Sequence, residues 1–166
     1  MTARGIEIGV ISDTHGLVRP DALAALAGVA HIVHAGDVGN AAVLAALRAL
    51  APVTAVRGNN DHGAWAARLP ERTTVVVAGI RLLLVHDRGE LAADEPGEGI
   101  DVVVTGHSHR PSLERRGNVL YVNPGSAGPR RFSLPIALAR LAVGRDGVTG
   151  RIVELTASLE RPRRRT

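Results

Sequence analysis

Five short apolar runs in this chain each end in residues that bind metals, and that recurrence limits the fold more than any other feature of the sequence. Run 6–11 leads into Ser12-Asp13-Thr14-His15-Gly16, and run 32–35 overlaps His34-Ala35-Gly36-Asp37. Run 53–56 is followed by Arg57-Gly58-Asn59-Asn60-Asp61-His62, run 80–85 by His86-Asp87, and run 102–105 ends in Thr105-Gly106-His107-Ser108-His109. Short β-branched runs of this kind read as strands buried on both faces. In open α/β sheets, ligands bind in the crevice at the strands' carboxyl ends, so five such loops are expected to converge on one rim.

The segments between the first three runs support that reading. Residues 21–28 and 40–50 carry Ala and Leu at helical spacing; Pro20 starts the first, Gly28 closes it, and Asn40 is placed to cap the second. Strand and helix alternate, which predicts right-handed crossovers and a parallel sheet. After residue 70 the pattern turns to hairpins: 73–77 with 80–85 around Ala78-Gly79, 113–116 with 119–122 around Gly117-Asn118, and 136–143 with 148–155 around Arg145-Asp146-Gly147. Only 90–93 is a further helix candidate. The expectation is an α/β fold with two sheets face to face, a single domain over 1–156 and an arginine-rich tail over 157–166.

The donor set narrows the chemistry. With no cysteine, thiolate zinc sites, disulfide frameworks and cysteine nucleophiles are excluded together. Asp, His and Asn donors suit Mn²⁺, Fe²⁺, Ni²⁺, Co²⁺ or Zn²⁺, and histidine-rich ligation disfavours Ca²⁺. Asp-x-His and His-x-His spacing throws alternate side chains to one side of an extended segment. The donors exceed what one ion needs, and a carboxylate such as Asp37 can bridge two ions about 3.5–4 Å apart, a geometry suited to displacement at phosphorus. Taken singly, each motif has a plainer reading. His31 and His34 read as core histidines, Gly36-Asp37 as a turn before a helix, and Trp65 and Tyr121 as packing residues. The order of all five on strand ends carries the argument.

Composition removes other classes. The formal net charge is +4, yet Arg161, Arg163, Arg164 and Arg165 lie in the last six positions; without these four, 20 basic residues become 16 against 16 acidic ones. A neutral body whose only aromatics are Trp65, Tyr121 and Phe132 lacks a basic footprint and a stacking platform, which argues against a nucleic-acid partner. The tail arginines read as solvated. No segment approaches the roughly 20 apolar residues of a membrane span, and no signal-peptide pattern opens the chain, so a cytoplasmic location without a membrane partner is expected.

The order Asp13-x-His15, Gly36-Asp37, Gly58-Asn59-Asn60-Asp61, His86, Gly106-His107-x-His109 resembles the calcineurin-like metallophosphoesterase superfamily. The short length and Asn123-Pro124-Gly125-Ser126 are similar to its small phosphodiesterase branch, to which a retromer scaffold subunit also belongs. The resemblance runs from Ile6 to about Leu155. It implies a four-layer α/β/β/α sandwich of two mixed sheets, with a two-metal site at the strand C-terminal ends. By the same resemblance, Asp13, His15 and His109 hold one ion, Asn59, His86 and His107 the other, and Asp37 bridges them. Mn²⁺ is the expected ion, with Ni²⁺, Fe²⁺, Co²⁺ and Zn²⁺ compatible. The implied activity is hydrolysis of a small-molecule phosphoester, foremost a phosphodiester, by a metal-bridging hydroxide. A non-catalytic protein-binding scaffold is the alternative, and since the branch commonly self-associates, a homo-oligomer is compatible with either.

Two positions depart from the family pattern. Asn60 takes the catalytic position where many members carry a histidine that protonates the leaving group, which favours aryl and other good leaving groups; His62 lies two residues further on. Asp87 stands where a glycine usually follows the fourth-motif histidine, and is a candidate partner for a ligand histidine. Of Arg130 and Arg131, which follow the Asn-Pro-Gly-Ser loop, Arg131 is the candidate phosphate-binding residue, since a guanidinium suits that geometry.

Overall fold

The computed structural model describes residues 5–155 and builds two five-stranded mixed sheets. In the first, β1 (Ile6–Ile11), β2 (His31–His34) and β3 (Val53–Ala55) run parallel, and β9 (Ala137–Gly144) and β10 (Gly147–Glu154) join antiparallel at the β1 edge. In the second, β5 (Ile80–Val85), β6 (Val102–Val104) and β8 (Val119–Asn123) are parallel, flanked by antiparallel β4 (Arg72–Val77) and β7 (Ser112–Arg116).

Side-chain alternation along the strands explains the layering. Ile8 and Val10 of β1, Val33 of β2, Leu82 and Leu84 of β5, Val102 and Val104 of β6 and Leu141 of β9 form one buried cluster shared by both sheets. Ile11 and Ile32 face the other way, against Leu26, Val43, Leu44 and Leu47 from helices α1 (Pro20–Ala25) and α2 (Ala41–Arg48). Gly9 makes that approach close: a Cβ there would sit 2.5 Å from Leu26 Cδ2. Asn40 caps α2 as expected, its side chain accepting from the Val43 N–H.

Element ends and short helices differ from the sequence reading. Helix α1 ends at Ala25 rather than Gly28; Pro20 starts it, but Arg19 at its N-cap offers no side-chain cap, and the chain turns away through Leu26. A four-residue helix, α3 (Ala64–Ala67), follows β3 and is too short to show periodicity. The candidate helix at 90–93 is a single 3-10 turn at Arg88–Glu90, capped by Asp87, whose Oδ1 accepts the Gly89 N–H at 2.9 Å.

That turn belongs to the segment lying over the outer face of the second sheet. Arg88 places its guanidinium 4.9 Å from the Tyr121 ring centroid on β8, and Arg72 of β4 pairs with Glu95 at 2.7 Å. The fourth layer here is therefore mostly loop, while full helices cover the first sheet. Trp65 packs against the α2-side cluster, as expected for a packing residue. The arginine tail at 157–166 lies outside the described residues.

Candidate metal centre

Six loops, one from each parallel strand, meet at a single end of the sandwich. Asp13 and His15 follow β1, Asp37 follows β2, and Asn59 to Asp61 follow β3. From the second sheet come His86 after β5, His107 and His109 after β6, and the Asn123 to Gly128 loop from β8.

The backbone at these loops is unusual. Among the described residues, seven non-glycine positions have positive φ, and five of them are Asp13, His15, Asp37, His107 and His109. Such conformations cost of order 1 kcal/mol each and persist only where the surroundings over-determine them. Here the surroundings are neighbouring backbones: Asp13 N–H donates to Gly36 O at 3.0 Å, and His15 N–H to Asp37 O at 2.9 Å. Gly58 permits a close approach, since a Cβ would fall 2.2 Å from Asp37 N. Gly106 does the same toward Ser12, with a Cβ 2.1 Å from its Oγ.

Buried polar residues lock the loops together. Asp61 accepts three backbone N–H groups, from Gly58 at 2.9 Å, Val38 at 3.1 Å and Gly39 at 2.9 Å. Ser12 donates to Asp13 Oδ2 at 2.6 Å, and Ser126 to Asp13 O at 2.9 Å. Asn123 donates to Gly106 O at 3.0 Å, tying the Asn-Pro-Gly-Ser loop to the histidine pair. Sequence alone assigns no role to Asp61 or Ser12; the one available signal is their place in polar loops that follow strands.

The donor atoms converge. Asp13 Oδ1 lies 3.3 Å from His109 Nε2, 3.8 Å from His15 Nε2 and 4.0 Å from His86 Nε2. Asp37 Oδ2 lies 3.3 Å from His86 Nε2 and 3.8 Å from His15 Nε2. Two groups thereby bring their ligand atoms within 4.8 Å of one another: Asp13, His15 and His109, and Asp13, Asp37 and His86. Asn59 and His107 stand beside them, Oδ1 to Nδ1 at 3.2 Å, with the His86 and His107 ring centroids 5.2 Å apart. All seven expected ligand residues are thus brought into one patch.

Asp13 Oδ1, His86 Nε2 and His109 Nδ1 are buried with no hydrogen-bond partner. Buried polar atoms are ordinarily paired, so the open Asp13 Oδ1 and His86 Nε2, 4.0 Å apart beside Asp37, fit a cation; on His109 the nitrogen facing Asp13 is Nε2, and the unpartnered Nδ1 is the other ring nitrogen. The His86 ring orientation agrees: its Nδ1 lies 2.7 Å from Ala35 O and donates there, so Nε2 is the nitrogen turned to the carboxylates and becomes an acceptor once its proton is displaced.

Charge completes the picture. Burial pushes the Asp13 carboxyl up, yet His109, Ser12 and His86 together hold it below the ordinary carboxylate range. Asp37 lies far below that range: burial opposes ionisation, and His86 and both Asn60 N–H groups outweigh it. Burial alone would lower His86, but Asp37 and Asp13 raise it to about 9 in the metal-free chain. Burial lowers His15, with His109 and Arg131 acting in the same direction against Asp37 and Asp13.

Asn60 is fully engaged with Asp37. Its backbone N–H reaches Oδ1 and its side-chain amide Oδ2, each at 2.9 Å. His62 is exposed in a cleft of about 380 Å³ that it shares with Asn59 and Arg57. Arg131 is exposed, and its charge reaches His15. His34 stays outside the cluster, as a core residue: the Gly36 N–H donates to its Nδ1 at 3.1 Å, and its Nε2 meets the Thr14 hydroxyl at 3.0 Å. His31 pairs with Thr54 at 2.8 Å.

Residues 6–146 match the model of the calcineurin-like phosphoesterase superfamily domain. A probable metallophosphoesterase of Methanothermobacter thermautotrophicus is 34% identical over 140 residues, 77% of this chain and 81% of that protein. A second, of Methanocaldococcus jannaschii, is 34% identical over 85 residues, which span 46% of this chain and 42% of that protein. Among solved structures, an archaeal phosphodiesterase superposes with a TM-score of 0.74 at 22% identity, covering 89% of this chain and all of its own. Vps29 of Entamoeba histolytica in complex with Zn²⁺ gives 0.67 at 22% identity, covering 91% of this chain and all of its own. These structural likenesses concern the fold.

Proposed function

Because the chain belongs to the calcineurin-like phosphoesterase superfamily, we propose that it is a metal-dependent phosphoester hydrolase that cleaves phosphodiesters at a two-ion centre, with Mn²⁺ the favoured ion. The observation that carries this reading is the pair of buried, unpartnered atoms Asp13 Oδ1 and His86 Nε2, with His109 Nε2 3.3 Å from the first.

Asp13, His15 and His109 would hold one ion and Asn59, His86 and His107 the other, with Asp37 between them. When bound, such ions polarise phosphoryl oxygens and acidify water at the site. The protein's own residues do the rest. Asp37 stays ionised because His86 stands beside it and Asn60 grips both of its oxygens. The His86 ring is fixed by its bond to Ala35 O. Arg131, whose charge reaches His15, would take a phosphate oxygen of the substrate.

With its amide committed to Asp37, Asn60 acts by holding that carboxylate and supplies no proton to the departing oxygen. Rate should therefore depend steeply on the leaving group, with aryl diesters cleaved much faster than alkyl ones. The likeness to Vps29 keeps a protein-binding scaffold as the second reading; the enzyme is favoured because none of the seven expected donors is replaced, five of them in two groups each within 4.8 Å and Asn59 and His107 beside them.

The test is a panel of aryl and alkyl phosphodiesters and monoesters assayed with each candidate ion, beside elemental analysis of the protein as purified. Turnover of an aryl diester that requires Mn²⁺ or a related ion and vanishes in Asp37→Ala supports the proposal. Turnover that survives exhaustive chelation rejects it. A small cytoplasmic phosphoester is the proposed substrate, and the described residues contain no helix long and apolar enough to cross a membrane.

A further inference from the structure

His107 is the most exposed of the histidines in the cluster, its side chain 45% accessible, and it lies where ring rotation is least restricted by packing. Its Nδ1 faces Asn59 Oδ1 at 3.2 Å. For both atoms to serve a cation, the ring must carry its proton on Nε2. Without an ion, the same contact favours the opposite tautomer, with Nδ1–H donating to Asn59. A group that biases the ring toward the Nε2–H tautomer would therefore lower the cost of loading the ion.

Asp87 is placed for that role. Its Oδ1 is tied down by the Gly89 N–H at 2.9 Å, at the start of the 3-10 turn. Its other oxygen, Oδ2, lies 3.8 Å from His107 Nε2, an electrostatic contact that a small ring rotation would shorten to a hydrogen bond. Both residues line one cleft of about 340 Å³, with Arg88, Arg110 and Asn123. Arg88 itself is turned to Glu114 at 3.3 Å, which leaves the second Asp87 oxygen to the histidine.

We propose that Asp87 is a positioning residue that orients His107 through Nε2, so that Nδ1 faces the ion site it shares with Asn59. A carboxylate behind a ligand imidazole fixes ring and tautomer and raises ligand basicity, and its loss typically lowers metal affinity about 10–100-fold. Because both side chains are nearly half exposed, the lower end of that range applies. The inference rests on the two-ion reading of the site.

The experiment compares Mn²⁺ binding by titration calorimetry in the full chain, Asp87→Asn, His107→Ala and the double variant. In parallel, ¹⁵N–¹H correlation of the ring nitrogens reads the His107 tautomer of the metal-free protein. Asp87→Asn keeps an oxygen for the Gly89 N–H but presents a donor to Nε2. One of two Mn²⁺ sites should weaken about tenfold, the His107 ring should shift toward Nδ1–H, and the substitution should cost nothing more in the His107→Ala background. An unchanged affinity and tautomer overturn the role given to Asp87. So does a loss of affinity that persists in the His107→Ala background, which would assign the effect to the turn alone. If the unaltered chain binds no Mn²⁺, the two-ion reading itself falls and takes this inference with it.

Discussion

His86 Nε2 lies 3.3 Å from Asp37 Oδ2, although the two residues follow strands of different sheets. In the metal-free chain this neighbour, with Asp13, keeps His86 protonated up to about pH 9. A cation at Nε2 must displace that proton, so binding should tighten as pH rises from 7 toward 9 and release protons. Calorimetry of Mn²⁺ binding in buffers of different ionisation enthalpy measures the release directly. Proton release near zero throughout that range would mean His86 is not a ligand.

His34 makes the opposite kind of prediction. Burial pushes its pKa down from 6.5 to about 4, and the Gly36 N–H and Thr14 hydroxyl satisfy the neutral ring. The unfolded chain takes up a proton below about pH 6.5 while the folded chain resists until about 4, so the unfolded state binds more protons in that window. Stability present above pH 6.5 is therefore lost as pH falls toward 4, by roughly 3 kcal/mol from this residue. Urea unfolding at pH 7 and 4.5 should show the drop. His34→Gln, less stable at neutral pH, should show a flatter dependence over the same interval.

Arg140 joins three stretches of the chain. Its guanidinium donates to Ala25 O at 2.6 Å and Ala27 O at 3.1 Å past the end of α1, and pairs with Glu7 on β1. Arg140→Ala leaves those carbonyls and the carboxylate without their donor, which should cost about 2 kcal/mol. For a chain of 166 residues that is a fall of about 4–8 °C in Tm. Metal binding, at the far end of the strands, should be unchanged.

Phe132 is 93% exposed with φ at 52°, a region that Asn adopts more readily than an aromatic residue. Phe132→Asn gives up almost no buried area and should leave stability unchanged or raise it by up to about 1 kcal/mol. A clear loss in urea unfolding would show that the ring is held by contacts.

Much of the site is legible in the sequence because its donors sit on loops whose position follows from the strands before them. Asp13, Asp37, His86 and the His107–His109 pair each come directly after an apolar β-branched run, and parallel strands deliver their ends to one place. What holds the loops is less visible. Asp61 binds Gly58, Val38 and Gly39 across two loops, and nothing local in the sequence distinguishes it from an ordinary turn residue. The role of Asn60 is hidden for the same reason, since its partner Asp37 is 23 positions away. Short helices also escape: α3 has four residues, less than the window periodicity needs, and tertiary packing decides it.

Asp13 and Asp37 hang from one sheet, while His86, His107 and His109 hang from the other. A cation gripped by both sets is a rivet through the sandwich. To slide or pry the halves apart, a force must tear coordinate bonds as well as peel one greasy face from its mate. On the two-ion reading, the group that serves the chemistry would also be the fastener, and stripping it should loosen the seam between the sheets as well as stop turnover.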